Sequence, residues 1–271
     1  MQQPIPQTRF HELVKAVCDG AYTPEDLARY GAIEDWDTSL IEDMSCAFLN
    51  AFDFNADISR WNTSMVTNMA GMFFNALVFN ADLSRWDVRR VTDMSNMFHE
   101  ARRFQQDISD WDVGNVTTMR GMFHGASVFN APIGRWNVSQ VTDMHSMFQF
   151  AAVFSRPLAD WDVGRVTTMR CMFSETKAFD QPLEGWNVSQ VTDMGDMFSG
   201  TYVFNQPLES WDVSRVTVMS SMFWGASSFN QPLGGWNVGR VTDMSGMFYG
   251  AAREMEGMFA HTHTQAFNQP L

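Results

Sequence analysis

The chain has 271 residues, 45% of them hydrophobic, and a formal net charge of −13. That charge repels phosphate backbones and anionic lipid, which argues against nucleic acid and membrane surfaces as partners. No apolar run reaches the ~20 residues of a membrane span, and Cys18, Cys46 and Cys171 make neither a disulfide framework nor a metal spacing. Residues 1–9 carry no apolar signal-peptide core. Residues 1–32 are predicted to form a helical cap. Phe10, Leu13, Val14 and Val17 share one helical face, which Asp19-Gly20 stops. Thr23-Pro24-Glu25-Asp26 then supplies an N-cap, a proline at the first helical position and two acids in the first turn, and Gly31 ends this second helix.

Residues 33–250 are one repeat. Tryptophan recurs at 36, 61, 86, 111, 136, 161, 186, 211 and 236, always 25 apart, and heads turns 1 to 9. With Trp as position 1, the unit is W-[DN]-V-x-x-V-T-x-M-x-x-M-F-x-x-A-x-x-F-N-x-[PD]-[LI]-x-x, a period that signals stacked units. Positions 9, 12, 13, 16 and 19, as in Met94, Met97, Phe98, Ala101 and Phe104, fit the apolar stripe of a short amphipathic helix. Thr at position 7 stands where its N-cap belongs. Trp and Val around the Asp or Asn of position 2 predict a minimal strand. Leu183 to Met194 follow the leucine-rich pattern, with Trp and Val in Leu slots. The expectation is an α/β fold, a curved leucine-rich-repeat solenoid with short parallel strands inside and short helices outside.

With the unit defined, Phe204-Asn205-Gln206-Pro207-Leu208 and Trp211-Asp212-Val213-Ser214-Arg215-Val216-Thr217 are similar to phrases of BspA-like leucine-rich-repeat surface proteins. The similarity covers about residues 31–250. It implies adhesion or recognition at a cell surface or outside the cell. The absence of a visible leader leaves an intracellular location open.

The Trp, Met and Phe columns are core spacing, with methionine filling gaps between stacked turns. The Asp or Asn at position 2 is a polar binding strip, a calcium ladder or, the favoured reading, a side-chain ladder between turns. From Trp111 onward the units alternate W-D…T-T-M with W-N…T-D-M. Like charges are thereby kept two turns apart, where neighbours at ~4.8 Å would repel by about 0.9 kcal/mol even in water. Arg120 and Arg170 fall where Asp143 and Asp193 of the next turn can pair with them. On the face expected to be concave, Arg60, Arg85, Arg89, Arg90 and Arg135, with Asp87 and Asp112, form the candidate partner-binding group, because arginine anchors interfaces. The threonine column suggests ice binding only as a distant third function. The six scattered histidines make no zinc site. No nucleophile–base pair, P-loop or dinucleotide fingerprint appears, so no catalysis and no cofactor are expected. Asn62, Asn115, Asn137 and Asn187 begin glycosylation sequons, three of them at position 2.

Residues 251–271 break the period. The Phe of position 19 is delayed to Phe267, after Met255-Glu256-Gly257-Met258-Phe259. With no polar cap after turn 9, the exposed aromatics Trp224 and Tyr249 at position 14 become candidates for self-association through residues 220–271. The functional expectation is a scaffold that binds a protein or glycan. The alternative is a self-assembling structural repeat without a discrete ligand.

Overall fold

The computed structural model describes residues 3–251; the break in the period from Met255 to Phe267 lies outside the described residues. At the N-terminus, α1 (Gln7–Cys18) buries Phe10, Leu13 and Val14. The second helix, α2 (Pro24–Tyr30), is capped by the Thr23 hydroxyl, which accepts the Asp26 amide at 3.1 Å.

The repeat then winds as stacked 25-residue turns that are not the expected α/β solenoid. Among the described residues, α1 and α2 are the only α-helices, joined by single 3-10 turns at Ile33–Asp35 and Ile133–Arg135. No strand forms among the described residues either. Adjacent turns share one isolated parallel bridge each, at position 8, from Asp43↔Asn68 to Val218↔Asp243. Both the inner strands and the outer helices of the α/β reading are therefore overturned. The curvature expected from wide helices behind narrow strands loses its basis with them.

The reason lies in the backbone of positions 9–16. Every residue at positions 11 and 15 has a positive φ, from 54° at Cys46, Asn96 and Ser221 to 73° at Gly250. A left-handed residue every fourth position breaks the run of right-handed residues that a helix requires. What forms instead is a chain of tight turns, seen in turn 3. The Met97, His99 and Ala101 amides donate three residues back, to Met94, Asn96 and Phe98. The alternate amides leave the turn altogether. Met94, Asn96, Phe98 and Glu100 donate at 2.7–3.2 Å to the carbonyls of Thr118, Arg120, Met122 and His124 in turn 4. The Met and Phe side chains point inward just as the helical pattern required, so the apolar spacing alone does not separate the two conformations.

Position 7 is corrected as well. Its threonines cap no helix. The amide of each donates to the carbonyl of the position-7 residue in the turn before, and the hydroxyl follows at 3.1–3.3 Å, from Thr67 on Glu42 to Thr242 on Thr217.

On the other side of the turn, side chains make the inter-turn bonds. The indole Nε1–H of each tryptophan from Trp61 to Trp236 donates to a position-23 carbonyl 28 residues earlier, Ile58 for Trp86 and Leu83 for Trp111, at 2.8–3.1 Å. From Trp86 to Trp211 these residues are only 3–4% exposed. Neighbouring indoles lie nearly parallel, within 4° for pairs such as Trp111–Trp136 and Trp186–Trp211. Within each turn, the Phe rings of positions 13 and 19 stack at 3.8–4.2 Å. At position 20, Asn55, Asn80, Asn130, Asp180 and Asn205 accept the amide of the same position one turn on, at 2.7–3.1 Å.

The cap reproduces a missing turn. The Gln7 carboxamide accepts the Glu42 and Asp43 amides at 2.9 and 3.0 Å and donates to the Asp43 carbonyl at 2.8 Å. His11 Nε2 meets the Ser45 carbonyl at 2.7 Å. In later turns these backbone groups bond to the turn before. The Trp36 indole, with no turn beneath it, donates to the Tyr22 hydroxyl at 3.2 Å and the Gly31 carbonyl at 3.3 Å.

Gly225, at position 15 with φ 67°, separates the two backbone readings by sign. A Cβ there meets nothing nearer than 3.9 Å, so Gly225→Ala carries no clash. In a helix, alanine stabilises by about 1 kcal/mol. In the left-handed site it costs about 1–2 kcal/mol. Denaturant unfolding of the variant is expected to show the loss.

Candidate recognition face

The outward positions 24, 25, 2, 4 and 5 form one polar face. Its position-2 acids are engaged with their own backbone, whereas Asp110 and Asp160 at position 25 and Glu184 and Glu209 at position 24 stand exposed on the same face. At position 2, each Asp or Asn accepts the amide two residues on, from Asp37 with Ser39 at 3.0 Å to Asn237 with Gly239 at 3.2 Å. The position-2 column is thus a series of Asx turns, and not the inter-turn ladder favoured from the sequence. Position 8 repeats the device, as in Asp93 with Ser95 at 2.8 Å, and so does position 22, as in Asp107 with Ser109 at 2.9 Å. These bonds from Ser109 hold the Asp107 carboxyl below the usual range, and those from Ser214 do the same for Asp212.

The candidate binding group is dispersed over this face. Arg60 reaches back to Asp35 at 3.0 Å. Arg89 grips Asp87 with Nε on Oδ1 at 3.0 Å and Nη2 on Oδ2 at 2.7 Å, and this pairing leads the depression of the Asp87 pKa. Arg85 stands near Asp57 and Asp82, whose carboxyls are lowered first by Ser59 and Ser84 and only secondarily by the cation. Arg90 sets Nη1 against Met65 Sδ at 3.1 Å. Arg135 ends the Ile133–Arg135 turn, two turns on from Arg85, and Asp112 caps Gly114 at 3.1 Å. Only Arg89 and Asp87 are brought into contact with each other. Arg120 does approach Asp143 at 3.8 Å. Arg170 approaches Asp193 at 3.9 Å but pairs more closely with Asp196, at 2.8 Å.

From position 5 the sequence reading took only Arg90. Arg165, Arg215 and Arg240 are exposed there and have no carboxylate partner among the described residues. Arg165 Nη1 donates to Gln140 at 2.5 Å and Arg215 Nη1 to Gln190 at 2.7 Å. An open depression of about 420 Å³ lies between turns 8 and 9, lined by Ser214, Arg215, Asn237, Gly239 and Arg240. The signal was present as the column Asn115, Gln140, Arg165, Gln190, Arg215, Arg240. Among the described residues, no three His, Cys, Asp or Glu converge as metal ligands.

Position 14 builds a second, outer ribbon. Phe74, His99 and His124 stack in sequence with centroids 4.2 Å apart, and Trp224 stacks on Tyr249 at 6.3 Å and 8°. That aromatic pair is 43% and 70% exposed. Burial, and then the neighbouring His124, lower the His99 pKa to about 4, and its Nδ1 is buried without a hydrogen-bond partner. Burial also lowers His124. A histidine held neutral in the fold binds its proton only on unfolding, so it favours unfolding as pH falls. The His99 contribution is absent above the ordinary pKa near 6.5 and grows as pH drops toward 4. His99→Phe continues the stack without a titrating group. The melting temperature of wild type is expected to fall between pH 7 and pH 4.5, and that of the variant to fall less; parallel curves contradict the assignment.

Among solved structures, the chain is similar to the functional domain of InlJ from Listeria monocytogenes, described as including a cysteine ladder. The identity is 7%, over 75% of this chain and 61% of that one, with a TM-score of 0.17, a likeness too weak to carry a structural argument. The sequence has no match among curated proteins. Three overlapping segments, residues 21–126, 103–201 and 158–258, match one family model and together take in every Trp-headed turn. The chain belongs to the family described as Mycoplasma protein of unknown function, DUF285.

Proposed function

We propose that the protein is a non-catalytic recognition scaffold, binding a protein or glycan partner through its exposed columns, at a cell surface or outside the cell. The carrying observation is the contrast between its interior and its exterior. Positions 1, 9 and 13 are Trp, Met and Phe in all nine turns. Position 25, one residue from the invariant Trp, runs Asp35, Arg60, Arg85, Asp110, Arg135, Asp160, Gly185, Ser210, Gly235. A frame fixed from turn to turn with free variation on one outer face is what a display surface needs. The similarity of the Phe204–Leu208 and Trp211–Thr217 phrases to BspA-like surface proteins supports the adhesive setting.

The reading predicts saturable binding to at least one member of a panel of extracellular proteins and glycans. Replacing Arg60, Arg85, Arg135, Arg165, Arg215 and Arg240 by Gln together is expected to weaken it about ten-fold or more, with melting unchanged, because exposed charges add little to stability. No saturable ligand for wild type overturns the proposal.

One observation favours self-association beside it. Trp224 and Tyr249 form a stacked, exposed aromatic pair on an exterior that also shows Phe150, Tyr202 and Val203, and a stacked pair of this kind marks an interface. Light scattering over a concentration series is expected to show association that Trp224→Ser with Tyr249→Ser abolishes. A strict monomer, or association that survives both changes, removes this second reading.

A further inference from the structure

From turn 5 onward the face formed by positions 2 and 5 alternates. Turns 5 and 7 present two amides each, Asn137 with Gln140 and Asn187 with Gln190. Turns 6 and 8 present Asp162 with Arg165 and Asp212 with Arg215, and turn 9 presents Asn237 with Arg240. The two acids are turned onto their own chain, Asp162 accepting the Gly164 amide at 3.0 Å and Asp212 the Ser214 amide at 3.1 Å. The two arginines instead lie along the stack, each anchored by one N–H to the glutamine of the preceding turn. That anchor orients the guanidinium without neutralising it and leaves further N–H groups for a bidentate acceptor. At turn 9 the acid is absent. Asn237 spends its side-chain oxygen on the Gly239 amide at 3.2 Å, Gly239 has no side chain to fill the opening, and Arg215 and Arg240 line the same depression.

We propose that this face binds a linear acidic polysaccharide laid along the stack, with a uronate-type carboxylate on every second sugar. Arg165 and Arg215 take successive carboxylates, and Arg240, one turn beyond Arg215, shares the carboxylate of Arg215 at the depression. The inference rests on the scaffold reading above and names its ligand class. Arg165 and Arg215 are two turns apart, about 10 Å at strand-like spacing. An extended β-linked chain returns its carboxylate to the same side at every second sugar, a repeat of that order. Between the arginines, the oxygens of Asn187 and Gln190 accept from the Ser189 amide and from Arg215, and their NH2 groups are left to donate to the hydroxyls of the intervening neutral sugar. Arginine recognises the carboxylate through its planar fork, which a diffuse positive field does not reproduce.

The test uses the full chain with three probes: hyaluronan oligosaccharides, which alternate a uronate with a neutral amino sugar; neutral chitin oligosaccharides; and polyglutamate. Hyaluronan is expected to bind and the other two to bind at least about ten-fold more weakly, since only hyaluronan offers paired charge at the sugar period. Substituting Arg165, Arg215 and Arg240 by Gln is expected to cost about ten-fold or more, and Arg240→Gln alone about three-fold, as charge-assisted hydrogen bonds are removed. The charge-matched variant with Arg102, Arg103 and Lys177 changed to Gln, exposed cations at positions 17 and 18 outside this face, is expected to stay within about two-fold, because screened charges on another column contribute little. No hyaluronan binding, equal loss in both triple variants, or equal binding of polyglutamate overturns the proposal. Failure here with a saturable ligand elsewhere in the panel removes the polysaccharide and leaves the scaffold.

Discussion

The stack depends on where the amides of positions 9, 11, 13 and 15 point. An amide donated to the adjacent turn is not available four residues back, so this half of the unit cannot be both helical and bonded along the stack. Left-handed residues at positions 11 and 15 settle the choice, because they rotate alternate amides out of the turn. Glycine fills seven of those eighteen places, and Asn, Asp, Ser, Cys, Glu and Phe fill the rest at higher conformational cost. That cost recurs in every turn, and the inter-turn bonds that it makes possible recur with it.

Once neighbouring turns are bonded residue for residue, each column inherits a fixed environment. The tryptophan column is the clearest case. Its indole N–H reaches a carbonyl 28 residues earlier, and its ring closes the core over the turn below. A buried indole needs that acceptor, and no smaller aromatic supplies both the donor and the area. The Asp and Asn columns at positions 2, 8 and 22 serve the same end locally, accepting amides that the tight turns leave over. Much of the acidity that composition alone presents as a free surface is therefore committed to backbone geometry. The stack also has a direction. Amides at positions 9, 11, 13 and 15 donate forward and those at position 7 donate backward, and at the first turn the Gln7 carboxamide serves both needs, accepting amides and donating to a carbonyl.

The period, the inward columns and the electrostatic alternation were legible in the sequence because each depends only on spacing. Met94, Met97 and Phe98 are buried whether the backbone is a helix or a series of turns, so their periodicity led to the right core and the wrong secondary structure. The discriminating signal was weaker: Gly121, Gly125, Gly200, Gly225, Gly246 and Gly250 fall at two positions four apart, where a helix would avoid glycine. Phe150 and Glu175, in the same left-handed column, masked it. The Thr67–Thr242 column was misread for a related reason, since a threonine before an apolar run is also what a backward-donating ladder looks like. At the candidate site, Arg120 with Asp143 followed from register. The gripping of Asp87 by Arg89, and the lack of acid partners for Arg165, Arg215 and Arg240, depend on long side-chain conformations that no spacing rule encodes.

Function in such a molecule is confined to what the lattice leaves free. Positions 1, 3, 6, 9, 12, 13, 16 and 19 are committed to the core, position 7 to the inter-turn ladder, and positions 2, 8 and 22 largely to turns. Positions 24, 25, 4, 5, 14, 17 and 18 are among those that remain, and the turns differ from one another there. A change there costs the stack little, since exposed side chains seldom contribute more than a few tenths of a kcal/mol. A change in the interior is felt by the turns on both sides. The regular interior thus keeps the exposed columns in constant register while their chemistry varies. A row of arginines and amides two turns in period acquires a fixed spacing from backbone hydrogen bonds that touch none of them.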